Sequence, residues 1–127
     1  MRQAIRKLSV IVPVHNEVRT IEAVLDAIRQ APLPCDREIL VVDDASTDGT
    51  REFLREYAAR VTEMRLFEHE RNVGKGGAVR TAIPHITGDW TIIQDADLEY
   101  DPRDYEQLLM PVQDGLADAV FGSRFLV

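Results

Sequence analysis

"EILVVDDASTDGT", Glu38 to Thr50, runs from an apolar, mostly β-branched segment through two adjacent carboxylates into a polar turn. The run ending at Val42 is too short for an ordinary helix and has the make-up of a buried strand. Asp48 or Thr50 can cap what comes next, and Phe53, Leu54, Tyr57 and Ala58 then recur at helical spacing. The stretch reads as a strand, a loop and a helix, the first half of a βαβ unit.

The same succession repeats on both sides of it. Short apolar runs begin at Leu8 ("LSVIVP"), Met64 ("MRLFEH"), Trp90 ("WTIIQ") and Asp118 ("DAVFG"), which with Glu38 gives spacings of 26 to 30 residues. Each gap holds one helix, as a parallel crossover requires. Ile21, Val24, Leu25 and Ile28 mark the first helix. Ala78, Val79, Ala82 and Ile83 share a face of the third, which Pro84 ends or kinks early. Pro102 suits the first position of a fourth, before "RDYEQLLMPV". The expected fold is α/β, a mostly parallel sheet with helices on both faces. Ligands of such sheets bind at the carboxyl ends of strands, near the point where strand order reverses. Five polar loops therefore become candidates: "PVHNE", "DDASTDGT", "HERNVGKGG", "DADLEYDP" and "GSR".

At 127 residues, 45% hydrophobic and 29% charged, the chain is expected to form one domain over residues 1–127 with its own core and no linker or repeat. Fifteen basic against 22 acidic side chains give a net charge of −7, which argues against nucleic-acid binding. A small anionic ligand would need a metal or an isolated cationic side chain beside it. Cys35 is the only cysteine, so no internal disulfide can form. The basic residues Arg2, Arg6 and Lys7 precede an apolar run that is too short for a signal peptide and leads into His15, Asn16 and Glu17. With no apolar stretch of about 18 residues for a membrane span, a cytoplasmic location is expected.

Asp95 and Asp97 fall on one side of an extended chain, where two carboxylates about 5 Å apart would repel by about 3 kcal/mol at an effective dielectric near 20. Hard oxygen ligands two residues apart suit Mg²⁺ or Mn²⁺ completed by phosphate and water, and no His or Cys cluster points to zinc. Asp43 and Asp44 end the second strand; Asp44 is expected on a ligand, through a base or ribose, and Asp43 in the turn with Ser46 and Thr47. Arg124, after Gly122 and Ser123, can hold a phosphate or sugar bidentately. The glycines of "NVGKGGAV" fit neither nucleotide motif. A P-loop needs Ser or Thr after the lysine, where Gly76 stands, and the dinucleotide fingerprint needs a glycine at Val79. They are expected to serve a tight turn and close helix packing, with Lys75 aiding the site electrostatically. His15, His69 and His85 lack ligand spacing and are expected at the surface or in packing, His15 alone standing near the site.

Taken together, "SVIVPVHNE", "ILVVDDASTDGT", "NVGKGGAVRTAI", "DADLEYDP" and "FGSRF" resemble family 2 glycosyltransferases of the GT-A fold, and among them the polyprenyl-phosphate sugar synthases typified by dolichol-phosphate mannose synthase. The resemblance covers essentially the whole chain but only the amino-terminal, donor-binding half of such an enzyme. It implies a Rossmann-like, truncated nucleotide-diphospho-sugar transferase fold. By position it puts Pro13, His15 and Glu17 along the nucleotide, Val42 and Asp44 at base and ribose, and Asp95, Ala96 and Asp97 around a divalent metal on the diphosphate. Glu99 and Arg124 then approach the donor's sugar and phosphates. His15 stands where relatives often have Tyr, and Glu99 where many synthases have Gln. The implied reaction is metal-dependent, inverting transfer from a nucleoside diphosphate sugar, such as GDP-mannose or UDP-glucose, to polyprenyl phosphate or another acceptor, with Asp95, Asp97 and Arg124 as its catalytic residues. The longer form is expected at the inner face of the membrane.

Other classes fit less well. A receiver-type signalling domain needs its acidic pair after the first strand and a Lys after the fifth, and a haloacid-dehalogenase phosphatase places D-x-D after the first strand. A nucleotide-sugar-binding module without turnover remains the alternative reading. The chain stops at Val127 before the acceptor side of the site, so it is expected to bind donor without transferring sugar, and Phe125, Leu126 and Val127 are expected to drive self-association into a homo-oligomer.

Overall fold

The computed structural model describes residues 5–97 together with Pro102 and Tyr105. Four parallel strands, β1 (Lys7–Val14), β2 (Asp36–Asp43), β3 (Met64–Glu68) and β4 (Trp90–Ile93), form one sheet in the order β3-β2-β1-β4. Their connections carry α1 (Ile21–Gln30), α2 (Thr50–Arg60) and α3 (Lys75–Ala82), the last followed by a 3-10 turn over Ile83–His85. The expected fifth strand from Asp118 and the body of the fourth helix lie outside the described residues.

The chain builds outward from β1 to β3, then crosses back to lay β4 on the other side of β1. Right-handed crossovers then require α1 and α2 on one face and α3 on the other. The core follows that division. Val10, Val12, Ile39 and Val41 pack with Ile21, Val24, Leu25 and Ile28 of α1 and with Leu54 and Tyr57 of α2, while Ile11, Leu40 and Val42 meet Ala78 and Ala82 of α3. Ile21, Val24, Leu25 and Ile28 of α1 are fully buried, each contributing about 2 kcal/mol on transfer from water. On the α3 face the small Ala78 and Ala82 let the helix lie close to the sheet. Helices on both faces of a parallel sheet are thus observed as expected.

Two local expectations change. Pro84 ends α3 at Ala82, and in the resulting 3-10 turn Ile83 swings out of the shared face and is 52% exposed. The residue before α2 is Gly49, at φ 99°, so neither Asp48 nor Thr50 holds the N-cap position itself. Asp48 nevertheless takes the first helical amide, Thr50 N–H donating to its Oδ1 at 3.0 Å.

At the amino end of the sheet the buried Glu38 ties four segments together. Its Oε2 accepts from Ser9 Oγ on β1 (2.6 Å) and from the Thr87 amide before β4 (2.7 Å), and its Oε1 accepts from Arg65 Nη2 on β3 (3.1 Å). Gly88 donates its N–H to the same Ser9 hydroxyl, and a Cβ on it would lie 2.5 Å from that oxygen, so no larger residue fits. Burial pushes the Glu38 carboxyl up, but the hydrogen bonds from Ser9 and Thr87 and the nearby Lys7 charge outweigh it and bring the pKa to about 2.

A carboxyl depressed in the folded state stabilises the fold above its unfolded value of 4.5 and loses that contribution as pH falls toward about 2. The difference corresponds to up to about 3 kcal/mol. Glu38→Gln is expected to lower stability at pH 7 by about 2 kcal/mol and to flatten the decline between pH 4.5 and 2, which urea midpoints measured across that range would reveal.

Candidate functional site

The reversal of strand order puts the loop after β1 between the loops after β2 and β4. Pro13 is tolerated in this inner strand because it stands two residues past the last β1–β4 pair, Ile11 with Ile93, where no ladder to β4 remains to be broken. The loops after β1 and β2 are zipped together. Asn16 N–H donates to Ser46 Oγ (2.9 Å), Thr47 N–H to Asn16 Oδ1 (2.7 Å), Glu17 N–H to Thr50 Oγ1 (3.1 Å) and Val18 N–H to Asp48 Oδ2 (3.3 Å). Asn16 and Ala45 sit at φ 53° and 60°, left-handed conformations that the zipped pair of loops imposes.

Asp44 is the junction. Its Oδ1 accepts from His69 Nδ1 (2.9 Å) and from the Val73 amide (2.8 Å), and its Oδ2 accepts from the Gly74 amide (2.8 Å). The Asp44 carbonyl accepts from His15 Nδ1 at 2.7 Å. Burial pushes this carboxyl up, yet the hydrogen bonds from His69, Val73 and Gly74 hold it below the usual carboxylate range. Asp44, expected on a ligand, lines the cleft, and three of its roughly four acceptor positions are already used within the protein. Asp43 is structural as expected: its Oδ2 accepts from Arg51 Nε (2.8 Å) and the Ser46 amide (3.3 Å).

Asp95, Ala96 and Asp97 follow β4. Gln94, fully buried, accepts from Tyr105 Oη at 2.6 Å and donates to the Asp95 carbonyl at 3.1 Å. Thr20, directly before α1, spends its hydroxyl not on a helix cap but on the Ala96 carbonyl, at 2.6 Å, and lies 3.0 Å from Glu17 Oε2. The backbone of the acidic turn is thus held from two sides. Lys75 Nζ, from the start of α3, contacts Asp95 Oδ1 at 2.5 Å.

Two cavities open here. One of about 100 Å³ is bounded by Pro13, Val14 and His15, by Asp44, and by Lys75, Ala78 and Asp95; the other, of about 240 Å³, adds Glu17, Ala96 and Asp97 to Pro13, His15, Lys75 and Asp95. Pro13, His15, Glu17, Asp44, Asp95, Ala96 and Asp97 are therefore brought to one cleft. Val42 is the correction. It is 0% exposed against Ala78 and Ala82 and lines neither cavity, because alternation along β2 turns it into the α3 layer. Glu99 and Arg124 lie outside the described residues.

Sequence reading missed His69, Gln94, Thr20 and Tyr105. His69 is no mere packing residue: it spans Asp44 and Thr81 Oγ1, 2.7 Å from its Nε2. Its place at the end of β3 was the available signal, and Gln94 likewise interrupts an apolar run at a strand's end. Nothing local marks Thr20 or Tyr105.

Residues 9–127 match Glycosyl transferase family 2. The chain belongs to that family. This family 2 chain is 35% identical over 124 residues to glycosyltransferase AglD of Haloferax volcanii, covering 94% of itself and 20% of that protein. It is 31% identical over 120 residues to the dolichol-phosphate mannosyltransferase of Pyrococcus furiosus, covering 94% and 34%. Among solved structures it resembles mannosyltransferase PcManGT from Pyrobaculum calidifontis in complex with GDP-Man and Mn²⁺, with a TM-score of 0.75, 37% identity, and coverage of 93% of this chain and 34% of that one. The family 2 chain thus spans about a third or less of these relatives. Among its described residues no helix is long and apolar enough to cross a membrane.

If Asp44 is the junction, its isosteric amide leaves the Val73 and Gly74 amides poorly matched. Asp44→Asn is expected to destabilise the fold by about 1–3 kcal/mol and to speed hydrogen exchange at Val73 and Gly74 while amides of β1 stay protected. Unchanged exchange at those two amides would contradict the assignment.

Proposed function

We propose that residues 1–127 form the donor-binding domain of a metal-dependent, inverting glycosyltransferase that takes sugar from a nucleoside diphosphate sugar, such as GDP-mannose or UDP-glucose, and passes it to polyprenyl phosphate at the cytoplasmic face of a membrane. The observation that carries this reading is the placement of Asp95-Ala96-Asp97 beside the Pro13–Glu17 loop at the reversal of strand order, in a family 2 chain. The likeness to a dolichol-phosphate mannosyltransferase supports the acceptor class, and that to a mannosyltransferase holding GDP-Man and Mn²⁺ supports donor and metal.

The donor set is consistent with the metal. Among the described residues no three His, Cys, Asp or Glu side chains converge, so a self-sufficient protein cage is not offered there. Two carboxylates suit Mg²⁺ or Mn²⁺ that shares its remaining positions with phosphate and water. Asp95 and Asp97 would hold the ion. Bound there, it supplies positive charge against a departing diphosphate. The chain's own residues do the rest of the donor binding: Pro13 and His15 wall the nucleoside side, Asp44 offers its one remaining acceptor position, and Thr20 and Gln94 keep the acidic turn rigid. A lipid phosphate is already anionic and nucleophilic, so the reaction asks for no strong base.

Calorimetric titration of GDP and UDP, each with Mn²⁺ and with EDTA, tests the reading. For the preferred nucleotide, affinity is expected to fall by about tenfold or more in EDTA, equivalent to ~1.4 kcal/mol. Asp97→Asn should remove that difference with an unchanged circular dichroism spectrum. Equal affinity in Mn²⁺ and EDTA would overturn the metal assignment, and failure of both nucleotides to bind would overturn the donor assignment.

A further inference from the structure

The cleft already contains a cation. Lys75 Nζ lies 2.5 Å from Asp95 Oδ1, and this ion pair is common to the linings of both cavities, so it stands at the boundary between the nucleoside side and the acidic side. Helix stability does not explain a lysine there. Lys75 is the first residue of α3, where the exposed amides and the helix dipole disfavour positive charge. Its backbone, by contrast, is well fixed: the preceding Gly74, at φ 89°, and Val73 both donate their amides to Asp44. From that anchored Cα, four methylenes give the ammonium freedom to leave one carboxylate for another partner without moving the loop. The exposures agree, since the Lys75 side chain is 51% exposed against 13% for Asp95. An ion pair whose ammonium is half exposed keeps that cation within reach of water and of a competing anion, so it can be displaced.

We propose that Lys75 is the resident counter-ion of the acidic turn: its ammonium occupies Asp95 until a divalent cation arrives, competes with that cation for the carboxylate, and so makes cation loading favourable chiefly when an anionic ligand draws the ammonium away. The inference rests on the reading that Asp95 and Asp97 hold the metal, and it adds a coupling between metal and nucleotide that two carboxylates alone would not produce. By linkage, whatever relieves Asp95 of Lys75 strengthens the metal, and the metal in turn frees Lys75.

The test needs no turnover. Free Mn²⁺ is followed by electron paramagnetic resonance during titration of the wild-type chain, Lys75→Gln, and Arg80→Gln, which removes the same formal charge farther along α3. Without nucleotide, Lys75→Gln is expected to bind Mn²⁺ about fivefold tighter or more than wild type, with Arg80→Gln unchanged. A gain equal in the two variants would reduce the effect to net charge and overturn the proposal. Mn²⁺ binding to wild type that is unaltered or weakened in Lys75→Gln would overturn it while leaving the metal site standing. Absence of Mn²⁺ binding in every protein, with GDP or UDP or without, would remove both the metal assignment and this inference.

Discussion

The Asp44 carboxylate organises the ligand end of this sheet, because a buried charge must be matched on nearly all its sides and the matching groups come from distant parts of the chain. Its amide donates to Val14 on β1, its carbonyl receives His15, and its side chain receives His69, Val73 and Gly74. Every backbone and side-chain polar group of one residue is therefore used to join the loops after β1, β2 and β3. Loops that would otherwise be mobile become a fixed wall, and the starting point of the Lys75 side chain is set by the same carboxylate.

The two ends of the sheet use carboxylates in opposite ways. At the amino end, Glu38 accepts from Ser9, Thr87 and Arg65 and has Lys7 Nζ 3.9 Å from its Oε1, so all its sides are matched and its charge holds strands together. At the carboxyl end the acidic turn has a rigid backbone, held by Thr20 and Gln94, while Asp95 is balanced by a long, half-exposed lysine. A saturated carboxylate is inert, whereas one balanced by a displaceable ammonium can exchange partners. That contrast separates a structural clasp from a candidate binding site more clearly than burial alone.

The glycine-rich "NVGKGG" segment illustrates how a motif can be rejected on its pattern and still be needed. It is neither a P-loop nor a dinucleotide fingerprint, and packing accounts for one of its glycines: a Cβ on Gly77 would come within 2.6 Å of Val73 Cγ2. Gly74, at φ 89°, provides the positive-φ turn from which α3 starts. Together they deliver Lys75 to the mouth of the cleft, a role that depends on position rather than on phosphate-cradling amides.

Strands, helices and the loops between them were legible in the sequence because their signals are local: β-branched runs, helical spacing at Ile21 to Ile28, and the break at Pro84 are each contained within one element. The family was legible too, since its motifs are short and ordered along the chain. What only the tertiary structure decided involves partners far apart in sequence. The order β3-β2-β1-β4, the joining of Asp44 to His69 and Gly74, the diversion of Thr20 to Ala96, and the meeting of Lys75 with Asp95 all depend on which element crosses which face of the sheet. Val42 shows the limit plainly. Asp44, two residues on and therefore of the same parity, lines the cleft while Val42 is sealed beneath Ala78 and Ala82, because the position of α3, which no local signal sets, determines how far along that face the sheet is closed.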